Sequence, residues 1–69
     1  MGARVTFNLE RHGLRILNEE QKSQLSAFLN TTGTAYRGIQ KVFEVEFDYT
    51  GRRPKIIRVF WQNGETTWG

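Results

Sequence analysis

Residues 43–49 alternate without interruption between apolar and acidic side chains. Two sets of side chains therefore lie on opposite faces of an extended chain, Phe43, Val45, Phe47 and Tyr49 on one and Glu44, Glu46 and Asp48 on the other. This period of two predicts a strand with one buried and one solvated face. Such a strand belongs to an antiparallel sheet that is covered on a single side.

The amino-terminal segment has the same period. Residues 4–9 alternate, and Leu14 and Ile16 resume the alternation around Arg15, so a hairpin that turns at Gly13 is expected, with one bent strand as the alternative.

The carboxy-terminal segment predicts a second hairpin. Lys55 to Gln62 is rich in β-formers, with Ile57, Val59 and Trp61 expected on one face and Ile56, Arg58 and Phe60 on its reverse. Asn63-Gly64 indicates a two-residue type I′ turn. That turn would set Trp68 opposite Val59, on the apolar face of a short last strand.

A helix is predicted to begin after Asn18. Asn18 is a good N-cap, Gln21 completes a capping box, and Leu25, Phe28 and Leu29 form an apolar stripe at helical spacing. Thr31 to Gly33 ends the segment.

These elements predict one α+β domain over residues 1–69. In the predicted fold, a single helix packs on a curled, mainly antiparallel sheet of about four to five strands, in the order β-β-α-β-β-β. One short helix cannot cover the apolar side chains of that sheet, so either the sheet closes like a small barrel or an apolar surface remains for a second subunit or another protein. A chain of 69 residues without cysteine has no disulfide to stabilise it, which also favours association.

Basic residues collect near the second hairpin. Arg52 and Arg53 lie in its loop and have no evident partner, whereas Lys55 and Arg58 enter the strand. With nearby tryptophans, such cations suit a nucleic-acid surface. The competing interpretation pairs Arg58 with the acidic strand and places Trp61 and Trp68 in a core or an interface.

A second cluster surrounds His12. Arg11 and Arg15 could support phosphate binding, and together with Glu10 they resemble the set of groups that a ribonuclease needs. Nothing in the spacing brings a carboxylate to His12, so a charged turn is the favoured interpretation. The sequence suggests no metal site, cofactor or small-molecule substrate.

The sequence therefore predicts a small, non-enzymatic, cytoplasmic binding module that acts through its sheet face and its second, basic hairpin. It would bind a protein partner or a second copy of itself, as a subunit, regulator or inhibitor of a larger cytoplasmic complex. The alternative is a nucleic-acid-binding protein that uses Arg52 and Arg53, and a ribonuclease-like enzyme around His12 comes third. The expected contact residues are Arg11, Arg15, Arg52, Arg53, Lys55, Arg58, Trp61 and Trp68.

Overall fold

The computed structural model describes residues 3–69. In chain order its elements are β1 (Arg4–Asn8), α1 (Leu9–His12), α2 (Glu19–Thr31), β2 (Val42–Asp48), β3 (Lys55–Trp61) and β4 (Thr66–Trp68), with short 3-10 turns at Leu14–Ile16, Ala35–Arg37 and Ile39–Lys41. No helix within 3–69 has the length and apolar content needed to cross a membrane.

The predicted α+β class is confirmed. The four strands form one antiparallel sheet in the order β1-β2-β3-β4. The sheet is open, with β1 and β4 at its edges, so barrel closure and a fifth strand are not confirmed.

The expected hairpin between β1 and a strand at Leu14 and Ile16 is wrong. Asn8 ends β1 and caps α1, because its Oδ1 accepts a hydrogen bond from the Arg11 backbone N–H at 2.7 Å. Gly13, with φ of 77°, ends that helical turn. An N-cap residue and a terminating glycine enclose residues 9–12, so a helical turn stands where the sequence predicts the end of a strand and the turn of a hairpin.

The helix α2 forms as predicted. Asn18 and Gln21 make both bonds of the capping box, each at 2.8 Å, and Leu25 and Leu29 are buried. The Gln21 side chain is also buried, and its Nε2 donates to the Tyr49 hydroxyl at the end of β2. This contact links the first turn of α2 to the sheet.

Two β-bulges change which side chains of β2 and β3 reach the core. Val42 pairs with Trp61 and Glu44 with Phe60, which leaves Phe43 unpaired, half-buried and outside the core cluster. The expectation that Phe43 shares the core face with Val45 is therefore wrong. A bulge adds one residue to a strand and so shifts the alternation beyond it.

The second bulge lies in β3. Glu46 pairs with Arg58 but Phe47 pairs with Ile56, so Ile57 has no partner on β2. Ile56 is buried in the core and Ile57 is only half-buried, which reverses the faces expected for these two residues.

The loop between β3 and β4 has three residues instead of the predicted two. The Gly64 N–H donates to the Trp61 carbonyl at 2.9 Å, the Trp61 N–H donates to the Glu65 carbonyl at 2.8 Å, and Gly64 alone in the loop has a positive φ, 92°. The added residue moves the register by one, so Trp68 pairs with Arg58 and not with Val59. Since neighbouring side chains of a strand point to opposite faces, Trp68 lies on the face opposite to the one predicted.

Candidate functional site

The face of the sheet opposite α2, called here the outer face, is not covered by any helix in residues 3–69. Strand pairing arranges its side chains in two rows across the four strands. The first row is Thr6, Glu46, Arg58 and Trp68, and the second is Asn8, Glu44, Phe60 and Thr66.

Arg58 organises the centre of the outer face. Its Nε donates to Glu46 Oε1 at 2.5 Å, and its guanidinium carbon lies 4.8 Å from the Phe60 ring centroid and 5.0 Å from that of Trp68. Arg58 thereby covers the Glu46 carboxylate, leaving that residue 7% exposed, whereas Trp68 is 62% exposed. The ion pair expected across the strands is present, and the exposed indole is held against a cation.

The basic residues of the second hairpin form another surface at one end of the sheet. Arg52, Arg53 and Lys55, called here the basic hairpin, are all exposed, and none forms an ion pair with any residue in 3–69. Arg4 is exposed beside them, because it pairs in register with Asp48, which in turn pairs with Lys55. Four cations therefore surround one end of β2.

Asp48 is held by the loop itself. Its Oδ1 accepts hydrogen bonds from the Thr50 N–H at 2.8 Å and the Thr50 hydroxyl at 2.5 Å. These bonds, chiefly the one from the hydroxyl, lower the pKa of Asp48, with smaller contributions from Arg4 and Lys55. The carboxylate stabilises the turn, while the cations around it stay exposed to solvent.

The other predicted contact residues are not gathered at the basic hairpin. Trp61 is 3% exposed, and its indole N–H donates to Thr67 Oγ1 at 2.8 Å, so its ring belongs to the core and is not available for stacking on a base. Arg11 is exposed on α1, beyond the end of β1 at Asn8, and the basic hairpin lies at the other end of that strand. Arg15 is exposed in the following 3-10 turn.

The cluster around His12 is a set of exposed side chains. His12 and Arg11 lie in the last turn of α1, and Glu10 lies in its first. In the part of the chain that the structure describes, no three histidine, aspartate or glutamate side chains are grouped to hold a metal ion.

The structure also contains a groove that the sequence did not indicate. It measures about 620 Å³, lies at the end of the sheet away from the basic hairpin, and is called here the upper groove. Its lining residues are Tyr36, Arg37, Lys41, Trp61, Gln62 and Asn63. Residues 33–38 run between two glycines, and so short a stretch has no periodicity that shows where its side chains point.

Arg37 forms one wall of the upper groove. Its Nη2 lies 2.5 Å from Glu65 Oε1, and its guanidinium carbon lies 5.1 Å from the Trp61 ring centroid and 5.8 Å from that of Tyr36. The hydrogen bond to Glu65 is the main cause of a raised pKa for Arg37. The segment before β2 is thus attached to the loop between β3 and β4.

Comparison with protein-family models, curated proteins and solved structures gives no match for this chain, so its function is argued from the surfaces described above.

Proposed function

We propose that the protein is a small, non-enzymatic binding module that docks its outer face and its basic hairpin onto a partner protein. The partner presents an apolar surface bordered by acidic side chains. The observation that carries this proposal is the exposed Trp68 ring, held against Arg58 on a sheet face that α2 leaves uncovered.

The outer face has the residue types that dominate binding energy at protein interfaces. Tryptophan and arginine are enriched among the few interface residues that contribute most, usually near the centre of the contact. Here Arg58 already bonds to Glu46 and stacks on Trp68 and Phe60. Because those side chains are ordered before a partner arrives, docking costs less conformational entropy.

The charge of the basic hairpin selects the kind of partner. Two copies that met through the same hairpin would bring Arg52 and Arg53 of both chains together, which costs free energy through repulsion. A different protein with an acidic border fits better than the homodimer expected from the sequence. The test below therefore includes a measurement of self-association.

The nucleic-acid alternative keeps one supporting observation, the four exposed cations at one end of the sheet. Against it, Arg58 is already paired with Glu46, and Arg11 lies beyond the opposite end of β1. Fewer phosphate contacts are then available than the sequence suggested, so any affinity for nucleic acid should fall less steeply with salt. The cytoplasmic location stays a prediction of the sequence.

Photo-crosslinking in a lysate of the source cells tests the proposal. A photoreactive amino acid is placed at Thr66, exposed on the outer face, and at Ser26, exposed on α2, as the matched control. We expect one nuclease-resistant protein adduct from position 66 only. Trp68→Ser should abolish it, and the double variant Arg52→Gln, Arg53→Gln should reduce it.

Three results would contradict the proposal. Equal adducts from positions 66 and 26, or an adduct that Trp68→Ser leaves intact, would show that the outer face does not bind the partner. An adduct that nuclease removes would favour the nucleic-acid alternative. Sedimentation of the isolated chain at micromolar concentration completes the test, since a dimer lost in Trp68→Ser would show that the outer face binds a second copy.

A further inference from the structure

Two of the polar side chains that line the upper groove offer free hydrogen-bond donors, namely Asn63 and Lys41. Asn63 Oδ1 accepts from the Glu65 N–H at 2.9 Å, and the two N–H groups of that amide donate to no group within residues 3–69. Gln62 Nε2 is already engaged, donating to the Gln40 carbonyl at 3.1 Å. The Lys41 ammonium forms no ion pair with residues 3–69.

The charge of the upper groove is positive. Arg37 is paired with Glu65, and Lys41 adds a second cation without a second carboxylate. One positive charge is thus left uncompensated beside the Asn63 donors. An anionic group of a ligand is the natural complement to that set.

The upper groove also offers an aromatic surface. Tyr36 is 81% exposed, so most of its ring is open to solvent. In the neighbouring wall, the Arg37 guanidinium lies over the Trp61 ring, and its buried Nε has no hydrogen-bond partner within residues 3–69. Exposed aromatic rings stack on planar ligands such as nucleobases. The volume of the upper groove also falls within the range of small-molecule sites.

We infer that the upper groove binds a small planar ring that carries an anionic group, with the ring stacked on Tyr36 and the anion held by Lys41 and Asn63. Nucleoside monophosphates and aromatic carboxylates both have this chemistry. The inference concerns the end of the sheet away from the basic hairpin and does not depend on the proposed protein partner.

Titration followed by amide NMR tests the inference, because a chain of 69 residues gives well-separated signals. The probes are adenosine monophosphate, 4-hydroxybenzoate, adenosine and inorganic phosphate. We expect at least one of the two ring-bearing anions to shift the Lys41, Gln62 and Asn63 amide signals and the Trp61 indole signal saturably. Adenosine and phosphate, which each lack one half of the ligand, should bind about tenfold more weakly.

The variants Tyr36→Ala and Lys41→Gln should each weaken that binding about tenfold, and both side chains are exposed, so both variants should fold. The matched controls, Trp68→Ala and Arg53→Gln, remove an exposed ring and an exposed cation elsewhere and should leave the affinity unchanged. The ring-bearing anion with the higher affinity identifies the chemical class of the natural ligand. The inference is overturned if neither anion shifts these signals, if phosphate alone shifts them equally, or if Tyr36→Ala binds as wild type.

Discussion

Replacing Arg58 with methionine should destabilise the fold through the Glu46 carboxylate that it leaves behind. The Glu46 side chain is only 9% exposed, and its one side-chain hydrogen bond within residues 3–69 comes from Arg58 Nε. Removing one partner of a fully buried ion pair costs about 3–5 kcal/mol, whereas an exposed pair contributes about 0–1 kcal/mol. Because the Arg58 side chain is 34% exposed, we expect an intermediate loss of about 2 kcal/mol.

That loss is a large part of the total free energy of unfolding, which is about 3–10 kcal/mol for a domain of this length. With a urea m-value of about 1 kcal/mol/M, the unfolding midpoint followed by circular dichroism should fall by about 2 M. Glu46→Gln should cost about 1 kcal/mol. The double variant should cost about 2 kcal/mol, less than the sum of the two single losses of about 3 kcal/mol, because a buried neutral amide without Arg58 is less costly than a buried carboxylate without it. The predicted coupling is therefore about 1 kcal/mol.

The same cycle on Lys22 and Glu19 provides the control. That pair lies at positions i and i+3 of α2 with Glu19 93% exposed, so its coupling should stay below about 0.5 kcal/mol. If Arg58→Met unfolded at the wild-type urea concentration, or if the two couplings were equal, the argument that Arg58 shields a buried carboxylate would be wrong.

Two further predictions concern the loops. Gly64→Ala should lower the free energy of unfolding by about 1–2 kcal/mol in thermal unfolding, because φ of 92° is costly for alanine. The control Gly51→Ala should have little effect, because φ of Gly51 is not positive and its surroundings are open. Equal losses in the two variants would contradict this reasoning. Thr50 lowers the pKa of Asp48 in the folded state, so the wild type should have a larger free energy of unfolding than Thr50→Val. This difference should be constant at pH values above the ordinary aspartate pKa. It should vanish as the pH falls through the lowered pKa of the folded state. An advantage that persists below both values would show that Thr50 acts by another route.

The helix α2 could be predicted from sequence because the interactions that define it are local. Asn18 and Gln21 are three residues apart, and the stripe that includes Leu25 and Leu29 repeats every three or four residues. No knowledge of the rest of the fold was needed. The burial of Val45 and Phe47 followed from alternation in the same way.

The sequence does contain local signals for the first helical turn, although they are weak. Asn8, Glu10 and Gly13 have the positions of an N-cap, an acidic first turn and a terminating glycine, although they enclose only four helical residues. So short a helix has a weak sequence pattern, and the alternation of Leu14 and Ile16 favours a strand after Gly13 instead.

The candidate surfaces were predicted less well, because their geometry depends on contacts between distant strands. A local turn preference at Asn63-Gly64 favours a two-residue loop, but the three-residue loop lets Thr67 reach the buried Trp61 indole. That single step in register moves Trp68 from the core face to the outer face.

The amino-acid sequence by itself determined the α+β class, the capped helix, the exposed basic hairpin and the period-two strands, since each depends on spacing along the chain. Only the tertiary structure decided which tryptophan is buried, where Arg58 finds its carboxylate and how Tyr36 and Lys41 come to share a groove. These features depend on strand register and bulges, in which a shift of one residue exchanges the two faces of a sheet at little local cost.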